Sequence, residues 1–260
     1  MRIDLNADLG EGGSDDAAIL ACVSSVNIAC GWHAGDSHSQ RQAIRAAMAH
    51  GVSIGAHPSY PDRANFGRTA MVRAPELVFD DVLYQVGGLA AMVRAAGGRL
   101  CHVKPHGALY NQAAADGALA DAIAAAVRAF DPHLQLVGLA GSELIHAARR
   151  HGLQPVEEVF ADRAYLASGA LAPRQQPGAV LDSVAAALAQ AMGLVQEGHV
   201  TTLEGTRLAL RADTVCLHGD GAHALQLASA LRRALSNSGV VVSAMSSISP
   251  SSPARDEANS

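Results

Sequence analysis

The side chains best suited to chemistry gather in one stretch, Cys101-His102-Val103-Lys104-Pro105-His106-Gly107-Ala108-Leu109-Tyr110-Asn111. An apolar run enters it, and Pro105, which cannot donate to a sheet ladder, stops a strand near Lys104. Lys104, His106, Tyr110 and Asn111 follow almost together. Titratable groups placed where a buried strand ends are the layout of an active site on an α/β scaffold. An ordinary strand-to-helix loop with a surface lysine is the plainer reading, and it is weakened because the same grammar recurs. Asn6, Asp8 and Glu11 follow a first apolar run, His33 and Asp36 a second, and His57, Asp62 and Arg68 a third. Asp162 and Arg163 follow a sixth, and His218 and Asp220 a seventh.

Imidazoles and carboxylates gathered at one rim could hold a divalent metal, with Asp8, His33, His57 and His106 as candidate ligands. They could equally form a metal-free acid–base array, with histidine poised near neutral pH. Spacing alone does not separate the two. Arg68, Lys104 and Arg163 beside these carboxylates suit an anionic substrate, a carboxylate or a phosphate. Cys30, next to Gly31-Trp32-His33, is better read as a packed thiol than as a nucleophile. The four cysteines form no CxxC pair, which argues against a zinc ribbon or a disulfide scaffold. Gly51-Val52-Ser53-Ile54-Gly55 matches the G-x-S-x-G elbow formally, but Ser53 lies within a strand-like run rather than on a sharp turn. Neither G-x-x-x-x-G-K-[ST] nor G-x-G-x-x-G occurs, so no standard phosphate loop is present.

Seven strand-like runs position these groups, at 3–5, 26–29, 52–56, 100–104, 134–139, 155–160 and 214–217. Ala-rich helical patterns at 39–50, 75–96, 117–130, 142–151, 179–196 and 222–237 lie between them. Pro75 suits a first helical turn and Ser142 an N-cap, while Gly51, Gly97 and Gly152 follow helix ends. Alternation at this rhythm implies a parallel sheet with helices outside. In an open doubly wound sheet only the loops beside the switch point would carry function. Here the functional side chains are spread over almost every strand end; only the fifth, leading to Gly138-Leu139-Ala140-Gly141, lacks a charge. The fold expected is an irregular, seven-stranded (β/α) barrel with a common mouth, spanning residues 1–242 as a single catalytic domain. A hairpin turning at Glu204-Gly205 interrupts the rhythm before the last strand. The Ser/Pro-rich stretch 243–260 reads as a disordered tail.

The 260 residues suffice for one large core, and 49% hydrophobic with 17% charged residues reads as a soluble globular protein. A net charge of −5 and the lack of basic, aromatic-interleaved runs argue against nucleic acid. No apolar run is long enough to span a membrane. Met1-Arg2-Ile3-Asp4 lacks the apolar core of a signal peptide, which points to the cytoplasm.

Longer blocks carry more specific information. They are Asp4-Leu5-Asn6-Ala7-Asp8-Leu9-Gly10-Glu11, Asn27-Ile28-Ala29-Cys30-Gly31-Trp32-His33-Ala34-Gly35-Asp36, Gly55-Ala56-His57-Pro58-Ser59-Tyr60-Pro61-Asp62 and Phe66-Gly67-Arg68. They continue with His102 to Asn111, Glu158-Val159-Phe160-Ala161-Asp162-Arg163-Ala164-Tyr165 and His218-Gly219-Asp220. In these blocks the chain resembles the LamB/YcsF family, described as the A component of the ATP-dependent bacterial 5-oxoprolinase. The resemblance runs from Arg2 to about Val240; Trp32, Ser37, Thr69 and Gly221 depart from the usual residues without removing a strand-end His, Asp or Lys. It implies an irregular (β/α) barrel similar to glycoside hydrolase and deacetylase barrels. It also implies cleavage of 5-oxo-L-proline to L-glutamate, coupled to hydrolysis of ATP with Mg2+, in company with subunits B and C; a homo-oligomer is left open. On that reading Asp8, His57, Lys104, His106 and Asp162 are the expected catalytic groups. Asn6, Glu11, His33, Asp36, Arg68, Tyr110, Asn111, Arg163, His218 and Asp220 would bind substrate or nucleotide. A stand-alone metal-dependent amidohydrolase or deacetylase is the alternative and would need no ATP. A purely binding or regulatory role ranks below both.

Overall fold

The computed structural model describes residues 1–13, 16–217 and 224–245. Seven parallel strands close into a barrel: β1 (Arg2–Leu9), β2 (Ser25–Ala29), β3 (Ser53–His57), β4 (Leu100–Val103), β5 (Gln135–Leu139), β6 (Gln154–Phe160) and β9 (Thr214–Leu217). They pair in that order, and β9 returns to β1 through Asp4↔Thr214 to Ala7↔Leu217. The barrel therefore has the seven strands expected. Its helices are α1 (Asp16–Ile19), α2 (Ser37–Ala49), α3 (Pro75–Ala95), α4 (Gly107–Ala113), α5 (Gly117–Phe130), α6 (Glu143–Arg150), α7 (Val184–Glu197) and α8 (Ala224–Asn237). A hairpin, β7 (His199–Thr201) with β8 (Arg207–Ala209), precedes β9, and β10 (Val241–Val242) pairs with the first residues of β1. No helix among the described residues is long and apolar enough to cross a membrane. Of the tail expected at 243–260, residues 246–260 lie outside the described residues, and Met245 packs against Val137 and Val156.

Local chemistry explains the boundaries. Pro75 opens α3, where its missing N–H costs nothing, and Gly51, Gly97 and Gly152 take positive φ after helix ends. Ser142 occupies the N-cap of α6, but its hydroxyl makes no capping bond. β1 runs four residues beyond the expected end, because alternation continues through it. Ile3, Leu5, Ala7 and Leu9 belong to the apolar core, whereas Asp4, Asn6 and Asp8 form the opposite row.

That second row points into the barrel, where it meets polar residues from the other strands. Asn6 Nδ2 donates to Glu158 Oε1 (2.9 Å) and Thr214 Oγ1 (2.7 Å), and Asn27 Nδ2 donates to Asn6 Oδ1 and Asp8 Oδ1 (both 2.8 Å). His102, driven down to a pKa of about 3 by burial and then by the Lys104 charge, is neutral and donates from Nε2 to Asn27 Oδ1 (2.8 Å). Gly55 makes room for that ring: a Cβ there would lie 2.1 Å from His102 Nε2. The barrel is thus filled by a hydrogen-bonded column rather than by layers of branched aliphatics.

At the foot of the column Asp4 accepts from Ser24 and Ser25 through Oδ1 (2.7 and 2.6 Å) and from Thr214 through Oδ2 (2.5 Å). Burial, only partly offset by these hydroxyls, raises its pKa to about 6. A folded-state pKa above the unfolded one means a stabilising contribution present below about pH 4 and lost as pH rises through 6. The loss is about 3 kcal/mol, two units at 1.36 kcal/mol each. Urea unfolding between pH 4 and 7 is expected to show this slope, and Asp4→Asn, which stays neutral, is expected to remove it. Parallel pH profiles of the two proteins would refute the assignment.

Candidate active site

The strand ends deliver their side chains to a cavity of about 410 Å³ at the barrel mouth. Asp8, Glu11, His57, Lys104 and His106 line its floor, and Arg68, Asn111, Arg163 and Arg174 belong to its walls. The 163–182 segment between β6 and α7 closes one side. It is pinned by the isolated bridges Arg163↔Val180 and Tyr165↔Leu171, by Arg163 donating to Ala172 and Ala179 carbonyls, and by Gln190 donating to those of Phe160, Ala161 and Arg163.

Lys104 is 3% exposed. Its ammonium sits between Asp8 Oδ1 (3.1 Å) and Glu158 Oε1 (3.0 Å), with Asn6 Oδ1 and Cys216 Sγ also in reach (3.2 and 3.1 Å). Burial favours the neutral amine, but the carboxylates of Asp8 and Glu158 outweigh it and raise the Lys104 pKa well above its ordinary value. Lys104 is therefore a permanent internal cation, not a proton acceptor. Cys216, raised by burial despite the Lys104 charge, stays a thiol, as does Cys30, pushed up to about 12 by burial.

Above Lys104 lies a histidine cluster whose tautomers are fixed by the backbone. His57 Nδ1 donates to the Lys104 carbonyl (2.6 Å), leaving Nε2 beside Asp8 Oδ2 (3.3 Å), His106 Nδ1 (3.0 Å) and Glu11 Oε1 (3.9 Å). His106 Nε2 donates to the Phe66 carbonyl (2.9 Å), so its Nδ1 faces the same centre, 3.5 Å from Glu11 Oε1. His33 stacks on His106 (3.8 Å between centroids, 6° between planes) and puts Nε2 2.9 Å from Glu11 Oε1. Burial lowers all three pKa values; for His57 the charge and hydrogen bond of Asp8 more than compensate, and its pKa is raised. His33 and His106 fall to about 3, through burial and then the neighbouring His57 charge. The cluster thus holds one imidazolium-prone ring against two neutral ones. Glu11, His33, His57 and His106 are also a set whose ligand atoms could hold a metal.

The loop after β3 sets this geometry. Asp62 accepts from Asn65 and Thr69, and Phe66 takes a left-handed φ of 57°, which turns its carbonyl toward His106. Gly67 follows at φ +66°, where a Cβ would lie 2.8 Å from His33 Cβ and 2.9 Å from His106 Cδ2. Only glycine lets the three segments meet.

Of the residues expected from sequence, Asp8, Glu11, His57, Arg68, Lys104, His106, Tyr110, Asn111 and Arg163 line the cavity, and His33 joins through the cluster. Asn6 lies one layer below, within the column. Asp36 is elsewhere: exposed, it caps α2 by accepting from His38 and Ser39 backbone N–H groups, which holds its pKa down. Asp162 follows β6 but is not among the lining residues. His218 and Asp220 lie outside the described residues. Sequence reasoning missed Asn27, His102 and Glu158, which fix Asp8 and Lys104 from below, and Arg174 in the cavity wall. A signal existed for the first three: polar residues at alternate positions of apolar strands, as in Ser25-x-Asn27 and His102-x-Lys104.

Comparison with known proteins adds three findings. A sequence model of the LamB/YcsF family matches residues 3–250. The structure of a lactam utilization protein from Thermus thermophilus is 48% identical, with a TM-score of 0.88 over 94% of this chain and 100% of that one. A candidate cellobiose-phosphate cleavage protein from Enterococcus faecalis is 13% identical, with a TM-score of 0.57 over 95% and 98% of the two chains, and shares the fold alone.

Proposed function

The chain belongs to the LamB/YcsF family, and from that premise we propose that it is the A component of an ATP-dependent 5-oxoprolinase. In this reading it converts 5-oxo-L-proline to L-glutamate while ATP is hydrolysed to ADP and phosphate. The observation that carries it is the set of charged groups lining the cavity, with the Asp8–His57 pair and the guanidinium groups of Arg68 and Arg174 among them. The likeness to a lactam utilization protein supports the substrate class.

A five-membered lactam is an unactivated amide. Transfer of the ATP γ-phosphoryl group to its oxygen makes the ring carbon electrophilic and releases ADP. Water adds to that carbon, the C–N bond breaks, and the nitrogen takes a proton. A second water then releases phosphate from the acyl phosphate, leaving glutamate. Asp8 Oδ2, beside His57 Nε2, is placed to accept a proton from the attacking water and, once protonated, to return it to the ring nitrogen. Arg68 and Arg174 suit the anionic carboxylate and phosphoryl groups. The chain carries no standard phosphate loop, so phosphoryl transfer from Mg-ATP is assigned to the assembly with subunits B and C. The assembly would be cytoplasmic.

Mixing the chain with purified B and C, 5-oxo-L-proline and Mg-ATP is expected to form glutamate and ADP together, and omitting the chain to abolish glutamate. Glutamate formed by the chain alone, without ATP and abolished by a chelator, would instead establish the metal-dependent amidohydrolase that the Glu11 and histidine cluster makes the second reading. No glutamate in either arm would overturn both.

A further inference from the structure

Glu11, His33, His57 and His106 come from the ends of four adjacent strands, and their donor atoms all lie within 4.8 Å of one another. We propose that this cluster binds one divalent transition-metal ion of the zinc and cobalt class. Glu11 Oε1, His33 Nε2, His57 Nε2 and His106 Nδ1 would be its ligands, with Asp8 Oδ2 alongside.

Three observations support it. The first is spacing. Ligands about 2.1 Å from a tetrahedral ion stand about 3.4 Å apart. Glu11 Oε1 lies 2.9, 3.9 and 3.5 Å from the nitrogens of His33, His57 and His106, and the latter two nitrogens are 3.0 Å apart. The second is orientation. His57 and His106 each give their outer N–H to a backbone carbonyl, of Lys104 and Phe66, so the inner nitrogen of the neutral ring carries its lone pair toward the centre. This is the outer-shell support that metal-binding histidines use. A hydrogen-bonded core histidine needs only one such partner; two rings locked to face the same point, with a third stacked alongside, are harder to explain structurally. The third is donor chemistry. Three imidazoles and one carboxylate suit zinc-like ions and not Mg2+ or Ca2+, which prefer all-oxygen sites. Mg2+ bound to nucleotide would therefore be a different ion at a different place. Asp8 is not needed as a ligand, because its Oδ1 is already held by Asn27 and Lys104.

The test is equilibrium binding, which needs neither substrate nor partner subunits and so stands apart from the 5-oxoprolinase reading. Chelator-stripped protein is titrated with Co2+ or Zn2+ and read by elemental analysis and by the visible absorption of bound Co2+. One ion per chain is expected, with a Co2+ spectrum of low coordination number. Glu11→Gln and His106→Gln are expected to weaken binding about 100-fold or more, beyond the 10- to 100-fold typical of an outer-shell loss. His146→Gln, exposed on α6 beside Glu143, is the control and should bind like wild type. Circular dichroism separates lost binding from lost folding; if a glutamine variant does not fold, the wild-type stoichiometry and spectrum still decide. Folded wild-type protein that takes up no Co2+ or Zn2+ would overturn the proposal. So would binding unchanged in folded Glu11→Gln and His106→Gln, or a response to Mg2+ alone.

Discussion

Asp8→Asn is expected to lower kcat for glutamate formation by about 100- to 10,000-fold, the range for removing a general acid–base group, while the protein stays folded. The two carboxylate oxygens have separate duties. Oδ1 accepts from Asn27 Nδ2 and Lys104 Nζ, and an asparagine carbonyl can keep both bonds. Oδ2 faces His57 Nε2 at 3.3 Å, and there an amide can neither accept a proton nor hold an imidazolium. His57 should accordingly lose the charge that raises its pKa, and in metal-free protein its titration should move down. The check is kcat in the assembled complex alongside the thermal midpoint of the isolated chain. Activity within tenfold of wild type would exclude Asp8 as the proton acceptor.

Lys104→Met is expected to have the largest effect on stability. Methionine matches the length of the lysine stem, but it leaves Asp8 Oδ1 and Glu158 Oε1 buried without their shared cation. Breaking a buried ion pair from one side costs about 3–5 kcal/mol, a large fraction of the total stability of an ordinary domain. Urea unfolding measures it. The double variant Lys104→Met/Glu158→Gln should recover part of the loss, because one of the two stranded charges is then gone. A single-variant cost below about 1 kcal/mol would mean that the pair behaves like a surface salt bridge. Activity should fall with Lys104→Met even where the fold survives, since Asp8 then loses one of the donors that aim it.

Much of this molecule was legible along the chain. Seven strand-like runs separated by helical patterns became seven parallel strands, because each strand needs apolar residues to pack against the helices outside it and right-handed crossovers demand helices between. Pro105 ended β4, and polar residues after successive strands marked the mouth. The sequence also located His33, His57, Lys104 and His106, since a strand end fixes where its next residues emerge.

What it did not determine is which of those groups meet. Glu11, His33, His57 and His106 are far apart along the chain, and they converge because β1, β2, β3 and β4 pair side by side in the wall of the closed barrel, which turns their ends toward one mouth. Closure likewise turned Lys104 inward onto Glu158, a residue on the strand two places further round the barrel. Asp36 looked the same as these residues in sequence yet became a helix cap, because its side chain is satisfied by the first turn of its own helix. A local hydrogen bond settles such a residue within a few positions. A catalytic group depends on partners supplied by other strands, and only the closed barrel brings them within bonding distance.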